Sequence, residues 1–197
     1  MQNELDYDVY KDEVIVIRFD SEMFKGFTGY DKNNPEPYFK LHPRSKRPPM
    51  DWLGKTRNGM LPSWNRFINC PNRIIQDTWK KDLNDYTRYC IQQQYIPRAY
   101  LGECIIIAVQ YRPTKAKSDN DNTYVKATLD AMVKEEVIQE DNHTVVRYFG
   151  SYTVYDKQDP RTEIRIYPII KGIYDFEYVL QIATHEIQQL EKQYNQG

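Results

Sequence analysis

Residues 104–109 read Cys-Ile-Ile-Ile-Ala-Val, a nearly unbroken apolar run. A strand with one wet face alternates polar and apolar side chains, and this one does not. The run therefore predicts a central strand buried on both faces. Such a strand needs neighbours on both sides and helices above and below. The predicted fold class is α+β: a mixed β-sheet with helices packed on it.

Other segments supply those partners. Val14–Phe19 is a short β-branched run and the expected first strand. Ile75, Trp79, Leu83, Tyr86 and Cys90 recur at helical spacing, which predicts an amphipathic helix over 73–94. Its outer side carries Arg73, Lys80, Lys81 and Arg88, expected to face solvent. Segments 144–155 and 162–167 flank the turn DKQDPR and are expected to pair as a β-hairpin, the second alternating apolar with charged residues. Phe176, Val179, Leu180, Ala183, Ile187, Leu190 and Tyr194 form an apolar stripe on a last long helix. That stripe fits packing on the sheet or, in a weaker alternative, docking on another protein.

Between the first strand and the first helix, residues 20–72 hold seven of the eleven prolines and show no periodicity. A stretch of that length predicts a long irregular insertion, 20–59, on a single domain spanning 1–197. The segment from Lys40 to Arg57 carries six basic residues against one acid, although the whole chain has a net charge of −1. Tyr38, Phe39, Trp52 and Trp64 are interleaved with these cations. Such a mixture can stack on bases and hold phosphates, or simply pack over the edge of the core.

No apolar run approaches the roughly 18–20 residues that span a bilayer, so no membrane partner is expected. The acidic start MQNELDYDVYKDE lacks the apolar core of a secretory signal. Three cysteines without a Cys-x-x-Cys spacing read as reduced thiols. The expected location is cytoplasmic.

Chemistry concentrates in Lys115–Asp141, KAKSDNDNTYVKATLDAMVKEEVIQED. Asp119 and Asp121 stand two apart at the expected start of a helix of about 122–135, with Asp121 or Asn122 as its N-cap and Val125, Leu129 and Met132 facing inward. Lys126 and Asp130, four apart, share a helical face where they can pair. Glu140 and Asp141 close the run. Carboxylates from separate elements suit a hard cation such as Mg²⁺, here on Asp119, Asp121 and Asp141. Such an ion polarises a scissile phosphate and acidifies bound water. Lys126 could neutralise charge developing on that phosphate, with Asp130 orienting it. Asp-x-Asp-Asn before a helix also serves as a cap and turn, and spacing alone leaves both readings open. A calcium EF-hand loop fails at Tyr124, where the turn requires glycine.

These residues resemble the RusA-like Holliday junction resolvases, endonucleases of bacteria and their prophages. The resemblance rests on Lys117, Asp119-Asn120-Asp121-Asn122, Lys126, Leu129-Asp130-Ala131 and Glu140-Asp141 before Val145-Val146. LPSWNRF at 61–67 and PRTEIRI at 160–166 are similar to flanking family segments. The insertion at 20–59 and the helical extension at 172–197 lie outside the family core, and one residue more than usual separates Asp121 from Lys126.

The resemblance implies a homodimeric, Mg²⁺- or Mn²⁺-dependent endodeoxyribonuclease that nicks four-way DNA junctions in pairs during recombination and repair. Asp119, Asp121 and Asp141 would hold the metal, with Lys126 completing the catalytic set. Asn122, Asp130 and Glu140 would support them. The cations expected at DNA are Lys115 and Lys117 beside the site, and Arg44, Lys46, Arg47, Lys55, Arg57 and Arg66 on the insertion. The alternative is a DNA-binding accessory protein of the same fold that does not cut.

Overall fold

The apolar run becomes β2 (Cys104–Arg112), with its first eight positions buried, and the sheet is assembled around it. A computed structural model describes residues 13–50, 60–62, 67–70, 72–114 and 125–195. Besides β2 it contains β1 (Ile15–Phe19), β3 (Val146–Tyr155) and β4 (Arg161–Pro168), in the order β1-β4-β2-β3. Pairing is antiparallel for β1–β4 and β4–β2 and parallel for β2–β3, so the sheet is mixed as expected. Five helices accompany it among the described residues: α1 (Ser21–Thr28), α2 (Glu36–Leu41), α3 (Arg73–Gln93), α4 (Lys126–Lys134) and α5 (Phe176–Asn195).

The expected hairpin does not form. β3 and β4 are consecutive in the chain, yet β2 lies between them. A strand with apolar side chains on both faces loses most at an edge, so it takes the interior place. β2, α4 and β3 then make a strand–helix–strand crossover, which parallel pairing requires. The DKQDPR turn steps across the end of β2: the Asp156 amide donates to the Arg112 carbonyl at 2.7 Å. Arg161 fixes the turn by donating to Asp156 at 3.0 Å and to the Asp159 carbonyl at 2.9 Å.

The two faces of β2 enter separate cores. Cys104, Ile106 and Ala108 join Ile17, Phe19, Ile164 and Ile166 under α1, α3 and α4. Ile105, Ile107, Val109 and Tyr111 face α5, where Val179, Ile182, Ala183 and Ile187 are buried. The apolar stripe of the last helix is therefore spent on the chain's own sheet, and the docking alternative falls. Cys90 and Cys104 are buried free thiols, and burial pushes the Cys104 thiol up to about 12.

Charged residues of β4 were expected to alternate with the core and meet water. They meet α5 instead. Glu163 accepts from Arg161 at 2.7 Å, from Arg165 at 2.6 Å and from the Tyr111 hydroxyl at 3.1 Å. Arg165 also pairs with Glu186 of α5, which accepts from the Tyr167 hydroxyl at 2.6 Å. Burial works against the Glu163 carboxylate, but Arg165 and Arg161 outweigh it and hold its pKa below the usual range.

The segment after β1 is less irregular than its prolines imply. Asp20 caps α1 by accepting from the amides of Glu22 and Met23 at 3.0 and 2.9 Å. Gly29, at φ 70°, ends it in the left-handed conformation that a glycine adopts freely. Pro35 precedes α2. Caps and stops this close together leave helices too short to show a period.

Arg88, expected to be solvated, instead donates to the buried Glu135 at 2.6 Å, and Gln92 donates at 3.2 Å, joining α3 to α4. Burial is the largest influence on Glu135 and raises its pKa, yet these donors bring it below the ordinary value. A depressed folded-state pKa gives stability that is present above the ordinary glutamate range and lost as pH falls through the folded value. Thermal unfolding of Glu135→Gln should therefore show a shallower loss of stability below about pH 4.5 than wild type does. Parallel acid limbs would contradict this.

Candidate active site

β2 leads to the stretch that carries the carboxylates, and α4 leads away from it. Asp119, Asp121, Asn122, Lys115 and Lys117 lie outside the described residues, as do Lys55, Arg57 and Arg66. Lys126, Asp130, Glu140 and Asp141 are described, and the fold brings them together.

α4 begins at Lys126 after Val125, whose side chain makes no cap, so the expected capping by Asp121 or Asn122 is not how it starts. The β-branched Val125 is a weak helix former, which favours a start after it. The inward face is also rotated from the expected one. Ala127, Thr128, Ala131 and Met132 are buried against α3 and the sheet, while Val125 and Leu129 are only partly covered. That rotation leaves Lys126 and Asp130 on the outer face, 57% and 47% exposed, with Nζ 3.0 Å from Asp130 Oδ1.

Lys126 also pairs with Asp141, the least exposed of the three at 27%. Asp141 reaches it because the chain after α4 is tied back to the sheet. Leu101 bridges Ile138, donating to Val137 at 3.1 Å and accepting from Gln139 at 3.0 Å. The Cys104 amide then donates to Val145 at 2.8 Å. Between these ties, Asn142 Oδ1 accepts from the Thr144 amide at 2.9 Å and its hydroxyl at 2.6 Å. The Asn142 amide donates to Glu140, so Glu140 braces the turn.

Asp130, Val133, Lys134, Glu140 and Asp141 line an open concavity of about 380 Å³. Lys134 lines it beside the three carboxylates, two of which, Asp130 and Asp141, also pair with Lys126. Lys134 was not anticipated. Its Nζ donates to Asn84 at 3.2 Å, and the buried Asn84 donates to the Ala127 carbonyl at 3.2 Å. Nothing in the local sequence could reveal a partner fifty residues away.

The donor set is carboxylate oxygen, which suits a hard divalent cation. Among the described residues no group of three or more His, Cys, Asp or Glu is disposed to hold a metal, and the expected ligands Asp119 and Asp121 lie outside them. Arg44, Lys46 and Arg47 are exposed on the loop after α2. Among the described residues, no helix is long and apolar enough to cross a membrane.

Fold and site thus define an α+β protein with an open acidic concavity, two of whose carboxylates share a lysine on a helix. The family model described as Endodeoxyribonuclease RusA matches residues 62–167, from the approach to α3 through β4, and the chain belongs to that family. No curated protein matches the chain.

Proposed function

We propose that the chain is a divalent-metal-dependent endodeoxyribonuclease, selective for branched DNA, that resolves four-way junctions by paired phosphodiester hydrolysis. The observation that carries this is Lys126 held between Asp130 and Asp141, inside the segment matched by the nuclease family. A four-way junction has two-fold symmetry, and a homodimer with one site per subunit would cut both strands. A cytoplasmic location fits such a substrate.

Asp119, Asp121 and Asp141 would hold Mg²⁺ or Mn²⁺, which when bound supplies charge at the scissile phosphate and acidifies the attacking water. Lys126 is placed to offset the negative charge that grows on the phosphate oxygens. Asp130 would hold its ammonium group in place, and Glu140 with Asn142 would stiffen the turn that presents Asp141. Lys115 and Lys117 beside the site, and Arg44, Lys46, Arg47, Lys55, Arg57 and Arg66 on the insertion, would hold backbone phosphates. Contacts of that kind are sequence-blind and salt-sensitive.

The test uses a synthetic four-way junction and a linear duplex with Mg²⁺. Wild type should nick the junction in preference to the duplex, and Asp121→Asn should bind the junction without cutting it. Wild type that binds the junction and never nicks it would replace the nuclease with an accessory DNA-binding protein.

A further inference from the structure

The segment 36–47 lies outside the family match and carries features that phosphate contacts do not account for. Of the four aromatic residues interleaved with the cations, Trp52 and Trp64 lie outside the described residues, and Tyr38 and Phe39 are partly buried. Tyr38 meets Tyr30 edge-on at 5.5 Å and Phe39 meets it at 6.2 Å, so both anchor α2 to the core. Leu41 and His42 are presented to solvent. Leu41 is 80% exposed, and the exposed His42 ring lies 4.5 Å from Tyr38 at a tilt of 36°.

Tyr38, Leu41, His42, Pro43, Arg44 and Ser45 line an open concavity of about 410 Å³. Its shape is held from within: Ser45 donates from its amide to His42 at 2.9 Å and from its hydroxyl to Arg47 at 2.7 Å. Around it stand Arg44, Lys46 and Arg47, which have no acidic partner among the described residues, while Lys40 pairs with Glu36 at 3.7 Å. An exposed leucine beside a supported ring, flanked by cations that have no acidic partner among the described residues, offers poor energetics in water alone. It matches a nucleotide whose base has left the stack: an apolar wedge and a ring for the base, guanidinium and ammonium groups for its phosphates.

We infer that the Leu41–His42 tip binds an unstacked nucleotide of DNA, with Leu41 wedging the opened step, His42 stacking on the base, and Arg44, Lys46 and Arg47 holding the flanking phosphates. This rests on the nuclease reading for its substrate and deepens it: the protein grips an opened base at the branch as well as the backbone. Intact duplex has no free base to offer, so the tip favours branched or single-stranded DNA over duplex.

The experiment measures anisotropy of a labelled oligothymidylate and of a labelled duplex, without divalent cation, against full-length protein. Leu41→Ser and His42→Ala should each weaken oligothymidylate binding at least about fivefold and leave duplex binding unchanged. His42→Tyr, which keeps a stacking ring, should retain wild-type binding. Both side chains are exposed, so unchanged thermal unfolding confirms that the variants fold. Losses below twofold, or equal losses on duplex, overturn the proposal. Junction cleavage by wild type with Mg²⁺ is scored separately. Wild type that cuts while the variants bind like wild type removes only the stacking tip. Wild type that fails to cut while the variants lose the oligonucleotide removes only the nuclease.

Discussion

Replacing Lys126 with methionine should lower the rate of junction cleavage by about 10²–10³-fold, the usual cost of removing one group that offsets transition-state charge. Junction affinity should change little, because one of many phosphate-facing cations is lost. Stability should change little as well. Lys126 and Asp130 are each about half exposed, and ion pairs of that exposure are worth about 0–1 kcal/mol. A single-turnover assay with junction in excess of its dissociation constant separates the two effects. A loss of rate under threefold would show that Lys126 is only a helix-surface lysine. A matching fall in melting temperature would place its role in the fold.

The largest expected effect on stability is at Arg165→Leu. This guanidinium is 13% exposed and sits between Glu163 and Glu186, themselves 8% and 11% exposed. Removing it leaves the Glu186 carboxylate buried with only the neutral Tyr167 hydroxyl beside it, and Glu163 with Arg161 as its one remaining cation. Breaking a buried pair from one side costs about 3–5 kcal/mol, which is a large share of a small domain's stability. Equilibrium urea unfolding at pH 7 measures it directly. The deficit should shrink in acid, because Glu163, whose pKa Arg165 helps to hold below the usual range, can then take up a proton. A deficit under 1 kcal/mol would mean that water reaches the layer between β4 and α5.

Much of the architecture was legible where one periodicity ran long enough. β1, α3, β2 and α5 follow from apolar runs or stripes, and their order alone predicts the α+β class. Strand pairing was not legible. The dense turn at DKQDPR resembles a hairpin, and only the demand of β2 for two neighbours explains why β3 and β4 sit on opposite sides of it. The charges of β4 misled in another way: Glu163 and Arg165 alternate like a wet face, but α5 brings Glu186 to complete them.

At the site, the Lys126–Asp130 pair was readable from a spacing of four. Asp141 was expected back at the site from its position just past the helix, but its pairing with Lys126, fifteen positions away, had no periodic signal. Lys134 on Asn84 had no local signal. Asp119 and Asp121 fall outside the described residues, so their place at the metal remains a proposal that the Asp121→Asn assay tests.

The sheet order also dictates the sequence of events as the chain is made. β1 precedes the other three described strands in the chain, and its only strand partner among the described residues is β4, the last of the four in sequence. Sheet formation can begin at β2 and β3 around α4, but β1 must wait until β4 has been made. Closing so long a loop is slow relative to local contacts. Until then the β-branched segment at 15–19 stays exposed, and a truncated chain ending before β4 would leave it without that partner.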